Sequence, residues 1–260
     1  MGSFANGWRI QVRVIGALMM RELTTRFGRE NIGFLWIMAE PLLFAMLVGI
    51  MWTFMKGYSE HGVNVMTFTV SGYIPLVLLR NSLGRCAMLF TVNGGLMYHA
   101  QIKIMDFVFV RFFIECIGAM LAYLFVSLLL IAIGIFPFPS SIGFMLLGWL
   151  YYCVFVLALC FVLAPLSEIS EAVEKFLPVV TYIMIPFSGT FNLTEWLSPK
   201  VQAVVLYSPP VHGMEMMRYG IFGDIIHPHF DYFLPLGISM VLLCIGLALC
   251  RYVRRDLVVE

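Results

Sequence analysis

His227, His229 and Asp231 alternate near the end of the chain. On a strand that spacing would place all three on one face, and the residue types suit a transition metal. Pro228 and the surrounding loop read instead as a polar turn, so no metal site is expected. His99 and His212 stand alone, with no nucleophile in reach. Glu40 and Pro41 sit side by side in an apolar run, where an ionisable residue is a functional candidate by default. Arg111 and Glu115 fall one helical turn apart and are expected to neutralise each other. Paired carboxylates, a Ser/His/Asp set and a His-x4-Asp motif are all missing. GxxxxGK[S/T] is missing too, so no nucleotide is expected to bind through a P-loop of this chain. The expectation is no catalytic residue, no metal and no cofactor in the chain itself.

The elements that hold these residues follow from composition. Of 260 residues, 61% are hydrophobic and 12% charged, against about 45–50% and about 25% in soluble domains. That makes the chain a polytopic membrane protein. Its net charge of +1 says little about partners. Five of the six cysteines lie in apolar runs and Cys86 in a basic loop, which is the placement of small buried hydrophobes.

Residues 1–31 are broken by Arg and Glu throughout, so no signal peptide is expected. Within them Trp8, Val12, Ile15, Met19, Leu23 and Phe27 recur by threes and fours, with Arg9, Arg13 and Arg21 off the stripe. This predicts an amphipathic helix lying in the membrane interface. Six apolar runs then approach the ~20 residues that cross a ~30 Å core: 32–55, 63–83, 107–136, 142–166, 176–191 and 233–251. The second and fifth are short and interrupted, by Gly72, Pro75 and Arg80 in one and by Pro178 and Pro186 in the other. Broken spans are tolerated where protein covers the backbone or the span lines a cavity. Glu40 falls about 13 Å into the first span, where Pro41 bends the helix. Glu40 either serves that bend or ties spans together through Arg80 or Arg111.

With six crossings and both termini cytoplasmic, thirteen of the sixteen Lys and Arg residues face the cytoplasm, leaving Lys56, Lys200 and Arg218 outside. Two cytoplasmic loops follow. Gly84–Asp106 carries the turn signal Asn93-Gly94-Gly95 between two segments of short-helix type, and Ser167–Lys175 is a compact acidic turn. Outside, Asn192–Tyr232 holds two apolar pieces, Val201–Leu206 and Met214–Phe222, too short to span. They are predicted to be re-entrant or interfacial helices. Aromatics make up 15% of the chain and belong to an interfacial belt or stack on sugar rings along a conduit.

Several segments carry a family resemblance: Arg21-Glu22, Arg26-Phe27-Gly28, Gly33-Phe34-Leu35-Trp36, Glu40-Pro41, Pro186–Phe191 and Ser208–Glu215. With them the sequence resembles the type-2 permeases of ABC transporters, and among these the inner-membrane permeases of capsular polysaccharide export. The resemblance implies one all-α membrane domain over 1–260. It comprises a cytoplasmic amphipathic helix (1–31), five spans (32–191), a periplasmic re-entrant region (192–232), and a last span with a cytoplasmic tail (233–260). It also implies a homodimer working with two copies of a cytoplasmic P-loop ATPase that holds ATP and Mg. The cargo would be a lipid-linked polysaccharide, handed to periplasmic and outer-membrane export proteins, with membrane lipids around the chain and no nucleic acid.

Coupling to the ATPase then falls to Arg26, Arg29, Glu30, Asn93, Gly94, Gly95, Glu168 and Glu171. A conduit at the dimer interface, lined by the first, second and fifth spans, takes Trp36, Glu40, Trp52, Tyr73, Arg80 and Arg85, with Arg80 and Arg85 drawing in an acidic polymer. An outer gate takes Ser188, Gly189, Pro209, His212, Glu215 and Arg218. Competing expectations are another cargo (O-antigen, teichoic acid or a small drug), an ATP-independent channel or transporter, and a membrane-embedded glycan-modifying enzyme, for which no catalytic set is present.

Overall fold

A computed structural model describes residues 2–27, 32–87, 89–97 and 102–257. The chain is helical almost throughout. Helix α1 (Gly2–Phe27) precedes α2 (Ile32–Lys56), and a small antiparallel hairpin, β1 (Ser59–Glu60) and β2 (Val63–Asn64), leads into α3 (Val65–Gly84). Two single-turn helices, α4 (Leu89–Val92) and α5 (Gly94–Met97), follow, and then the long α6 (Ile104–Ala132) and α7 (Ile142–Ile169). α8 (Glu171–Met184), α9 (Pro199–Val205), α10 (Pro209–Phe222) and α11 (Phe233–Leu257) complete the order. Among the described residues four helical stretches are long and apolar enough to cross a membrane: Met38–Lys56, Ile104–Ala132, Ile142–Ile169 and Phe233–Arg254.

Local chemistry sets the boundaries. The hairpin turns at His61 and Gly62, both at positive φ (51° and 80°), the pairing that a two-residue hairpin loop requires. Asn64 caps α3 by accepting from the Thr67 amide at 3.1 Å. Pro199 and Pro209 occupy first helical positions of α9 and α10, where no hydrogen bond is lost. Two boundaries differ from expectation. The acidic turn Ser167–Lys175 is a single extended residue, Ser170, and its glutamates belong to helix ends. Glu168 lies in the last turn of α7, and Glu171 and Glu174 in the first turn of α8, where carboxylates suit the helix dipole.

α3 is the central helix. Its residues from Val65 to Leu79 are buried except Tyr73, although it is the most polar of the expected spans. The polarity is absorbed locally: Thr69 and Ser71 donate to the Val65 and Phe68 carbonyls at 2.8 Å each. α3 packs against α2 and α6, and against α7 and α8. Behind it α7 and α10 meet backbone to backbone. A Cβ on Gly148 would overlap the Met217 amide nitrogen and the Gly213 carbonyl oxygen, and one on Gly220 would overlap Met145 and the Ser141 carbonyl. Small residues that let helices touch are the usual device where lipid supplies no hydrophobic drive for association.

α10 is buried at every position except Tyr219, so this piece is part of the bundle wall rather than a surface helix. α9 is largely exposed, as an interfacial helix would be. α1 is a helix as expected, but its inner face is rotated. Val14, Ile15, Leu18, Met19 and Leu23 pack on the core, with Gln11 and Glu22 on the same side, while Trp8 and Val12 are exposed.

Candidate functional site

Polar chemistry collects at two opposite ends of this bundle. At the first, the C-terminal end of α3, the N-terminal end of α6 and the junction of α7 with α8 come together under α1. Arg85 pairs with the buried Glu115 at 3.0 Å. Arg111 Nε lies 2.9 Å from Glu22 of α1, with its N–H not aimed along the contact, and Arg111 Nη1 donates to the Arg85 carbonyl at 3.2 Å. Arg21 donates to Asn93 Oδ1 at 3.1 Å, and Asn93 donates to the Leu89 carbonyl at 2.8 Å. Thr91 donates to the Glu168 carboxylate (3.1 and 3.2 Å), and Gln11 of α1 donates to Asp106.

Two expectations are corrected here. Among the described residues no direct ion pair joins Arg111 to Glu115; Arg111 pairs with Glu22 and Glu115 with Arg85 across helices. Among the described residues no ion pair joins Glu40 to Arg80 or Arg111; Glu40 is half-buried on α2, and Arg111 is committed to Glu22. Arg85, one of the conduit residues, pairs with Glu115 and is 29% exposed.

Of the coupling residues, Asn93–Gly95 and Glu168 lie at this junction. Asn93 is tied to α1 and Glu168 to the α4 segment, while Glu171 is exposed and, among the described residues, bridges to Lys175 at 3.6 Å. Gly94 and Gly95 have no neighbours where a Cβ would stand. Arg29 and Glu30 lie outside the described residues, as do the side chains of Arg26 and Trp36.

An Arg85→Glu change should cost about 2 kcal/mol, because it leaves the buried Glu115 facing a like charge while Arg85 itself is 29% exposed. The double change Arg85→Glu with Glu115→Arg should recover most of that loss. Thermal unfolding of the purified variants in detergent, read as a double-mutant cycle, measures the coupling.

At the other end, the expected gate residues lie along α10 and on the turn at residues 186–189 packed against it. Arg218 of α10 is completely buried. It donates to the carbonyls of Gly189 (2.6 Å), Thr190 and Asn192 (3.3 Å), and its guanidinium lies 3.8 Å from the centre of the Phe68 ring. Burial pulls its pKa down to about 10, so it remains a cation at neutral pH. Gly72 of α3 leaves room for it; a Cβ there would overlap the guanidinium and the Thr190 carbonyl.

Gly189 turns the chain at φ 72°, and Ser188 bonds to the Ile185 carbonyl and to Thr190, both at 2.6 Å. Ser208, just before Pro209, donates to the Phe187 carbonyl at 2.6 Å. Glu215 accepts from the amides of Thr194 (3.0 Å) and His229 (3.4 Å), and burial raises its carboxyl above its ordinary value against these donors. His212 bonds the Leu206 carbonyl through Nε2 at 2.8 Å and accepts the Asp231 amide at Nδ1 at 2.9 Å, which fixes one neutral tautomer. Burial lowers its pKa in the same direction. Asp231 takes the Phe233 and Leu234 amides at the start of α11, so it caps a helix.

Of the conduit residues, Trp52 stacks on Phe191 (5.5 Å between centroids) and carries Lys56 over its ring at 4.3 Å. Tyr73 and Arg80 lie seven residues apart on α3, within about 20° of the same face, and are partly exposed, whereas the rest of α3 before Asn81 is buried. Phe68, Gly72 and Trp196, which stacks between Phe68 and His61, were not anticipated from sequence. Their signal is spatial only.

Long apolar helices with polar clusters confined to the two ends define a multi-pass all-α membrane protein. No family model matches the chain. Among curated proteins, the capsule polysaccharide export inner-membrane protein CtrC of Neisseria meningitidis serogroup B (strain ATCC BAA-335 / MC58) is 38% identical over 248 residues, 95% of this chain and 93% of that protein. The capsule polysaccharide export inner-membrane protein BexB of Haemophilus influenzae is 31% identical over 249 residues, 96% and 94%. The polysialic acid transport protein KpsM of Escherichia coli is 23% identical over 251 residues. The chain belongs to the family of capsule polysaccharide export inner-membrane proteins. These relatives are named for export and transport, not for an enzymatic reaction.

Proposed function

We propose that the chain is the permease subunit of an ATP-driven exporter that moves lipid-linked capsular polysaccharide across the bacterial inner membrane. The whole-chain likeness to capsule export proteins supports the cargo class. The observation that carries the mechanism is the junction under α1, where Arg21–Asn93 ties α1 to the α4–α5 loop, Arg111–Glu22 ties it to α6, and Thr91–Glu168 ties α4 to the end of α7. A push on Gly94 and Gly95, which have open space beside them, would pass through these links to α3, α6 and α7.

In this reading α3 and α8 are the short, broken spans that bring the crossings to six, and both termini are cytoplasmic. Two copies of a P-loop ATPase, holding ATP and Mg, dock on the junction through Asn93–Gly95, Glu168, Glu171 and the Arg26–Glu30 segment. Two copies of the chain pair so that α2, α3 and α8 line the conduit. Among the described residues Arg80 forms no ion pair, and an uncompensated arginine is costly on a lipid-facing surface, so in this reading the partly exposed Tyr73–Arg80 stripe faces water or protein. α9 and the clamp around Arg218 form the outer gate, and periplasmic and outer-membrane export proteins receive the polymer.

Affinity purification of the tagged chain from its native membrane should bring a P-loop ATPase in roughly equimolar amount. Recovery of the chain alone, with export intact in cells lacking any such ATPase, would establish the ATP-independent reading instead. A Gly94→Pro change should leave assembly intact but cut the export supported per ATP hydrolysed by about tenfold. Polymer transport and phosphate release measured together in proteoliposomes check this, and normal coupling would remove the loop from the coupling role.

A further inference from the structure

The end of the bundle that carries the junction under α1 has one more feature, apart from that junction. Between the start of α6 and the end of α11 lies a groove of about 540 Å³, lined by Lys103, Arg251 and Arg254 together with Ile104, Met105 and Leu247. No acidic side chain lines it. Among the described residues, none of the three cations forms an ion pair. Asp106, close in sequence, is buried, accepts the Lys103 amide (2.9 Å) and Gln11, and also attracts the Lys103 ammonium, so Arg251 and Arg254 carry most of the uncompensated charge.

Both helices are long enough to cross a membrane, with spans of Ile104–Ala132 and Phe233–Arg254. The three cations therefore sit at headgroup level, and the apolar floor descends beside the acyl chains. The groove is formed on the α6–α11 side of the bundle, whereas the partly exposed Tyr73–Arg80 stripe lies on α3.

We propose that this groove is a binding site for a resident anionic glycerophospholipid of the bilayer. The phosphate is held by Lys103, Arg251 and Arg254, and the first methylenes of its chains rest on Ile104, Met105 and Leu247. Charge complementarity selects an anionic over a zwitterionic headgroup, because three cations set against one buried carboxylate behind Lys103 leave a net positive site. The apolar floor selects a lipid over a free phosphate. The inference needs only the membrane placement of α6 and α11, not the export reading and not the sidedness of the chain.

The test is native mass spectrometry of the full-length chain, purified in mild detergent from a host that makes no capsule polymer. Wild-type chain should retain phosphatidylglycerol or cardiolipin, and the K103Q/R251Q/R254Q chain should retain at least tenfold less. Cardiolipin added to delipidated wild-type chain should raise its thermal midpoint, while phosphatidylethanolamine should not. If the triple variant does not fold, R254Q alone and this add-back on the wild type decide the matter. Equal anionic-lipid retention by wild type and variants would overturn the site. So would an equal shift with phosphatidylethanolamine, or occupancy that appears only when lipid-linked polymer is made.

Discussion

Replacing Arg218 with Met is expected to cost on the order of 3 kcal/mol and to lower the amount of folded protein in the membrane several-fold. A buried cation exchanged for an apolar residue is often tolerated, because the charge was expensive to bury. Here the acceptors stay behind. The carbonyls of Gly189, Thr190 and Asn192 lose their donor, Phe68 loses its cation, and Glu215 on the same helix keeps its carboxylate without a nearby positive charge. Arg218→Lys keeps the charge but not the planar fork that reaches several carbonyls at once, so it should fall between wild type and Met. Quantitative immunoblotting of membranes and thermal unfolding in detergent measure both variants. A wild-type midpoint for Arg218→Met would show that the segment from Pro186 to Phe191 is held by something other than this clamp.

Gly220→Ala should be nearly as damaging, and its sign is informative. In a helix Gly→Ala is normally favourable by up to about 1 kcal/mol. At Gly237 of α11, where no atom stands within 4 Å of the added methyl, that gain should appear as an unchanged or higher thermal midpoint. At Gly220 the methyl would overlap backbone of Met145 and Ser141, which cannot rotate away as a side chain can, so α7 and α10 must separate. The α7–α10 contact holds the clamp helix in the bundle, and export should fall with stability. Equal behaviour of the two variants would mean that α10 does not sit against α7 at this distance.

How far these features were legible in the sequence depended on the range of the interaction. Helix content and the four long apolar stretches follow from composition and run length. The α4–Asn93–α5 arrangement follows from an Asn-Gly-Gly turn signal. The gate residues were named by segment resemblance, but their joint structure is a matter of tertiary distance: Arg218 reaches carbonyls 26 to 29 residues away and a ring on α3. Arg111 and Glu115 misled because spacing reports which residues share a helix face, not which partners the neighbouring helices offer. Glu22 and Arg85 were offered, and each pairing across helices replaced the local one. The rotated face of α1 has the same origin, since Gln11 and Glu22 bond inward despite being polar. One local signal went unused. Gly213 and Gly220, seven apart on one helix face, announce a close helix contact that hydropathy alone does not show.

The central claim is that this chain carries capsular polysaccharide outward through the inner membrane. Deleting its gene and then measuring polymer at the cell surface and inside the same cells tests that claim most directly. The account predicts loss of surface capsule with polymer retained inside, restored by the wild-type chain but only weakly by the Arg218→Met chain. Surface capsule at the wild-type level without the chain would contradict it, as would an altered polymer reaching the surface in normal amount.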